Sequence, residues 1–169
     1  MDAEHARLLR AQGKHEEARQ MLVALVGRHP QDAALNYETA CVHDSLGLES
    51  EAVPFYRAAL SGDLPPETRC SALVGLGSTY RTLGMFAESE QVLLAAKSEF
   101  PEAASVDVFL AMTHHNLGKS RQAVEALLRL LVETSSDPGI QAYGRAISFY
   151  AQDIDRTWPP EHSTAVRRT

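Results

Sequence analysis

Residues 73–101 read LVGLGSTYRTLGMFAESEQVLLAAKSEFP, and this stretch decides the fold. Leu73, Leu76, Gly77 and Tyr80 fall at i, i+3, i+4 and i+7, the spacing of one apolar helix face. Leu83-Gly84 then turns the chain, because a glycine directly after a helix supplies the left-handed conformation that ends it. Val92, Leu93 and Ala96 carry the same period onto a second helix, which Pro101 closes. The unit is a helical hairpin.

Working outward, the hairpin recurs. Gly13, Gly47, Gly84 and Gly118 stand 34, 37 and 34 residues apart, each followed five positions later by a small residue: Ala18, Ala52, Ser89, Ala123. The same register aligns Leu22, Tyr56, Leu93 and Leu127, then Leu25, Ala59, Ala96 and Leu130. Ala6, Ala40, Gly77 and Ala111 share one small position in the first helices, where the two helices of a hairpin can approach closely. Helix breakers end the units at Pro30, at Leu64-Pro65-Pro66, at Pro101 and in the loop Thr134–Pro138.

The repeats run over about 1–32, 33–66, 67–103 and 104–136. The three extra residues between the second and third units should lengthen the next helix by almost a turn, with Pro66 in its first turn and Ser61 or Asp63 helping to cap it. Pro54, some way into a second helix, should bend that helix or delay its start. A capping helix is expected over 137–154, with Ile140, Tyr143, Ile147, Tyr150 and Ile154 as its apolar stripe, and Trp158 folding back on it. Residues 159–169 read as a flexible tail. The fold class is therefore all-α: a right-handed superhelical solenoid of four helical hairpins plus a C-terminal capping helix, nine helices in one domain over 1–158.

A 34-residue helix-turn-helix unit with small residues at these offsets and a closing proline resembles the tetratricopeptide repeat. Asn36 and Asp107 stand where that pattern prefers a large apolar residue. Segments 43–56, 75–81 and 133–138 resemble the small stand-alone bacterial tetratricopeptide proteins of group five. The resemblance implies a protein-interaction module. It does not extend to the chaperone-type carboxylate clamp of Lys and Asn, because Tyr37, Cys41, Val74 and Ser78 occupy those places.

Composition narrows the function further. With 16 Lys+Arg against 22 Asp+Glu the formal charge is −6, which repels phosphate backbones, so no nucleic-acid partner is expected. The longest apolar run, Met21–Gly27, falls far short of a membrane span, and the acidic start is unlike a signal peptide; a cytoplasmic protein is expected. Cys41 and Cys70 form no C-x-x-C pair and read as reduced packing residues. His114-His115 point to different sides of a helix, so no metal is expected; Gly75-Leu76-Gly77 lacks the third glycine of a dinucleotide loop, so no cofactor is expected either. Without a nucleophile signature, the chain reads as a non-enzyme.

The first helices carry a second stripe, about 100° from the core stripe, that faces the inside of the superhelix. Its members are Ala3, Arg7, Arg10, Tyr37, Cys41, Asp44, Val74, Ser78, Arg81, Val108, Met112 and His115, continued by Gln141, Arg145 and Ser148 on the capping helix. Four arginines and one acid make this row basic in an acidic protein. Two readings follow: a groove in which Arg81 and Arg145 take a carboxylate beside an apolar patch of Tyr37, Val74, Val108 and Met112, or an Asp44–Arg81 ion pair with no ligand. The expected partner is thus a peptide or protein segment, carrying a carboxylate or acidic residue on the first reading, and the chain a monomer or weak homodimer. The alternative is a structural homo-oligomer packing through Phe149 and Trp158.

Overall fold

The four periodic glycines all lie in the left-handed region, with φ between 71° and 77°. Around each, two backbone bonds close the preceding helix in the same way. Gly84 N–H donates to Arg81 and Met85 N–H to Tyr80, and the bonds Gly13–Arg10 with Lys14–Leu9, Gly47–Asp44 with Leu48–His43, and Gly118–His115 with Lys119–His114 repeat the pattern. A side chain at φ near 75° is strained, so glycine is what lets four hairpins turn identically.

The computed structural model describes residues 3–158; the tail expected over 159–169 and the side chain of Ala3 lie outside the described residues. Four hairpins follow in order: α1 (Ala3–Ala11) with α2 (His15–Arg28), α3 (Ala33–Ser45) with α4 (Glu49–Ser61), α5 (Pro66–Thr82) with α6 (Phe86–Glu99), and α7 (Ala104–Asn116) with α8 (Ser120–Thr134). A last helix, α9, spans Pro138–Tyr150. There is no strand among the described residues. Every helix packs on the next, and α1, α3, α5 and α7 also touch in succession, forming one inner row. The protein is an all-α helical repeat solenoid.

Within hairpins the small positions work as close-approach points. A Cβ added at Gly77 would lie 2.6 Å from Leu93 Cγ, and Ala6, Ala40 and Ala111 are buried. Ser89, the one polar residue at the other small position, is fully buried; its hydroxyl lies 2.7 Å from the Gly77 carbonyl and 2.8 Å from Thr113 Oγ1. Asn36 is explained locally, since its amide donates to the carbonyls of Pro30 (3.0 Å) and Asp32 (2.8 Å), while Asp107 pairs with Lys97 at 2.7 Å.

The insertion lengthens α5 to 17 residues, against 13 for α3 and α7. The expected side-chain cap is not used. Pro65-Pro66 pre-set the helix start, Pro66 has no N–H to be capped, and the Ser61 hydroxyl bonds back to Ala58. Pro54 does not delay α4, which runs unbroken from Glu49; it sits on the exposed side, where water can serve the freed carbonyl of Ser50.

The largest departure from expectation is α9. Its packed face centres on Gly144 and Ala151, with a Cβ on Gly144 only 3.4 Å from Val132 of α8, while Tyr143 is 69% exposed and Tyr150 half exposed. Arg129 donates to the Ala151 carbonyl (2.8 Å), Arg121 pairs with Asp153, and Ile154 N–H reaches Glu125 at 3.3 Å. So α9 lies on the flank of α8 made by Arg121, Glu125, Arg129 and Val132. In the preceding unit the next hairpin is received elsewhere: on α6, Glu90 meets His114 and Lys119, and Lys97 meets Asp107. The equivalents of Glu90 and Lys97 on α8 are Val124 and Leu131, roughly a quarter-turn from the flank that carries α9. Hence α9 does not cover the trailing face of the fourth unit, and it makes no close approach to α7. Trp158 does fold back, stacked 5.5 Å from Phe149.

Candidate functional site

The inner row presents the predicted stripe, but its charges are distributed differently. Glu38 on α3 pairs with both Arg7 (2.9 Å) and Arg10 on α1, which removes two of the four arginines from the basic set. Asp44 does not pair with Arg81. It accepts from the Tyr56 hydroxyl (2.7 Å) and the Thr79 hydroxyl (3.0 Å). Thr79 and Arg81 are two residues apart on α5 and point to nearly opposite sides, so when Thr79 faces α3 the arginine faces α7. Burial raises the Asp44 carboxyl above its ordinary value, opposed by the bonds from Tyr56 and Thr79.

Other members of the stripe are partly spent on the core. Tyr37 and Cys41 pack against Tyr56 and Tyr80, and Val74 packs against the cluster of Leu73, Ala96 and Val106. Burial pushes the Tyr37 hydroxyl up to about 12 and raises the Cys41 thiol, so both stay protonated. Ser78 lines a shallow polar recess with Asp44, Glu49, Thr79 and Thr82. Val108 is half-buried. Arg145 is exposed on α9, which approaches neither α5 nor α7, so it does not share the cleft wall that Arg81 lines. The displaced packing of α9 is the reason.

What the fold does bring together is a cleft of about 330 Å³ between α7 and α8, with Arg81 on its wall. Met112, His115 and Asn116 line it from α7, and Ser120, Ala123, Val124 and Leu127 from α8. Among the described residues, Arg81 Nε is buried without a partner, and its Nη1 has a long 3.4 Å contact to Asn116 Oδ1. His115 Nδ1 lies 3.1 Å from Ser120 Oγ. The cleft is apolar on the α8 side, where Val124 and Leu127 are 43% and 40% exposed, and Met112 on α7 is 37% exposed.

Sequence reasoning found Arg81, Met112 and His115 but missed the α8 wall. A signal was present, because Val124 and Leu131 replace Glu90 and Lys97 at the positions facing a following hairpin, and no fifth hairpin follows among the described residues.

This stack of identically turned hairpins defines a helical repeat solenoid with an inner face suited to holding another chain. The family model described as Tetratrico peptide repeat matches residues 32–154, and a second, Tetratricopeptide repeat, matches residues 4–32. The chain belongs to the tetratricopeptide repeat family, in the group five that its quoted segments resemble. Among solved structures it is similar to YrrB, a TPR protein with an unusual peptide-binding site, with TM-score 0.68 and 17% identity over 83% of this chain and 71% of that one. It is also similar to a Podosopora anserina putative kinesin light chain with nearly identical TPR-like repeats, with TM-score 0.64 and 21% identity over 90% of this chain and 89% of that one. At these identities the likeness is one of fold. No curated protein sequence matches the chain significantly. Among the described residues, no helix is long and apolar enough to cross a membrane.

Proposed function

We propose that this protein is a non-catalytic interaction module that holds a peptide or protein segment in the α7–α8 cleft, with Arg81 receiving a carboxylate of that segment. The observation that carries this reading is the buried, unpartnered Arg81 Nε beside an open apolar wall. Arg10, at the equivalent position of the first unit, has its carboxylate in Glu38; Arg81 has none. A planar guanidinium on a concave, poorly hydrated wall favours bidentate carboxylate recognition. The peptide-binding site named for YrrB supports the same use of the fold.

The test is selection of a random peptide library on the intact chain, on Arg81→Ala and on Glu88→Lys, a charge reversal on the exposed side of α6. Selected peptides should pair an acidic residue or C-terminal carboxylate with apolar neighbours. Arg81→Ala should weaken them about tenfold or more, and Glu88→Lys should leave them unchanged. Peptides indifferent to Arg81 would overturn its role.

The structural homo-oligomer has one observation in its favour, the half-exposed aromatic cluster of Phe149, Tyr150 and Trp158. Loss of self-association in Trp158→Ala would select it.

A further inference from the structure

Four hairpins in register make it possible to ask what each end of the stack lacks. At every joint, the residue that a following first helix presents toward the hairpin before it is buried: Val42 on α3, Thr79 on α5, Thr113 on α7. Val42 sits in one cluster with Ala18 and Leu22, Thr79 bonds Asp44, and Thr113 meets Ser89. The equivalent residue on α1 is Leu8, which is 53% exposed, because no described hairpin precedes it.

The trailing end shows the converse. Leu22, Tyr56 and Leu93 are each buried, Leu22 in one cluster with Leu35 and Val42 of the following first helix and Tyr56 with Leu76 and Tyr80 of its own, whereas their equivalent Leu127 is 40% exposed. Val124 and Leu131 flank it on the same open face, because α9 packs on another flank of α8.

The polar partners follow the same logic. Arg10, Asp44, Arg81 and His115 are register equivalents, and Arg10 is held by Glu38 from the next first helix. The equivalent of Glu38 on α1 is Glu4, whose side chain is mostly exposed and whose contact among the described residues is a 3.4 Å surface pair with Arg7. His115 and Arg81 stand together on the cleft wall at the other end. Leu8 is therefore apolar like Leu127, and Glu4, placed as Glu38 is on Arg10, would come to His115 at the register position of Arg10, beside the positive charge of Arg81 on the same wall.

We infer that the segment received by the α7–α8 cleft is α1 of a second copy of this chain, docked as the first helix of a fifth hairpin. This rests on the reading of the cleft as a protein-binding site and names its occupant. A helix suits this face better than an extended strand, because it satisfies its own backbone N–H and C=O groups against an apolar wall that offers them no partners. The contact joins two different surfaces, so it does not close on itself and propagates as a head-to-tail chain.

The test is analytical ultracentrifugation of the full chain from low-micromolar to near-millimolar concentration. The weight-average mass should rise with concentration and pass the dimer without a plateau. Leu8→Glu and Leu127→Glu should each abolish the rise while leaving the thermal melt intact, since both side chains are already exposed. Glu4→Arg should weaken association, and adding His115→Glu to the same chain should recover it. A monomer throughout, or association that survives Leu127→Glu, overturns the inference. Repeating the peptide selection on Leu8→Glu separates the two claims. Arg81-dependent peptides with no self-association leave the binding cleft standing and reject the second copy; absence of both rejects both.

Discussion

Leu93 and Leu127 occupy the same place in consecutive hairpins, yet the first is fully buried and the second 40% exposed. Leu93 packs beneath Gly77 on its own first helix, and the hairpin of α7 and α8 then seals the joint through Glu90 and Lys97. Leu127 has its own hairpin but no successor among the described residues, because α9 is held on another flank by Gly144 and the bonds of Arg121, Glu125 and Arg129. The lesson is that a repeat position has no fixed burial. Its environment is set by whether a neighbour packs on it, and the exposed Leu127 is the feature on which the proposed docking of a further helix rests.

The largest effect should come from breaking the closed joint and its open counterpart in parallel. Leu93→Ala leaves a cavity between Gly77 and the α6 backbone and should cost about 2–5 kcal/mol in urea denaturation. Leu127→Ala removes a side chain that water already reaches and should cost less than about 1 kcal/mol. Equal losses would mean that Leu127 is covered in solution.

A smaller effect concerns the two equivalent arginines. Glu38→Ala strips the carboxylate from Arg7 and Arg10 and leaves Arg10, whose Nε already lacks a partner, without its ion pair. It should cost about 1–2 kcal/mol and speed hydrogen exchange in α1. Arg81→Ala, with no carboxylate to lose, should change stability by no more than about 0.5 kcal/mol while weakening ligand binding. A stability loss at Arg81 matching that at Glu38 would put it among the structural arginines.

The fold was legible from the sequence because each hairpin is specified locally. The glycine turn, the small residues and the apolar period all act within one unit of about 34 residues, and the structure repeats the turns and the buried small positions in all four hairpins. The site was only half legible. Register alone placed Arg81, Met112 and His115 on the inner row, but not what each would meet. Glu38 lies one residue from Tyr37 and was not counted among the inner charges, although its side chain reaches both arginines of α1. The orientation of Arg81 depended on Thr79 turning toward Asp44, a choice made between units. The placement of α9 was the least accessible. Of its apolar stripe of Ile140, Tyr143, Ile147, Tyr150 and Ile154, Ile140 and Ile147 are half-buried but Tyr143, Tyr150 and Ile154 are exposed, because close approach is easier at Gly144 and Ala151, and the ion pairs of Arg121 reinforce that choice.

The smallest effect is a change in slope at Asp44, the carboxylate that occupies the same inner position as Arg81. Burial raises its pKa above the ordinary value of 3.8, against the lowering bonds from Tyr56 and Thr79. A carboxyl raised in the folded state binds its proton more tightly there than in the unfolded chain. It therefore contributes stability that is fully present below the unfolded pKa and is lost as pH rises through the folded value. Asp44→Asn keeps an oxygen for the two hydroxyls but cannot ionise, so it should lack this loss. Urea midpoints for the two proteins, compared from about pH 3.5 upward, should move in favour of Asp44→Asn as pH rises, with the difference complete above the folded pKa. A difference that instead favoured the native protein at higher pH would mean that the bonds from Tyr56 and Thr79 outweigh burial. The inner position would then be built to hold a carboxylate charge in the second unit, and the contrast with an Arg81 that waits for one would be sharper still.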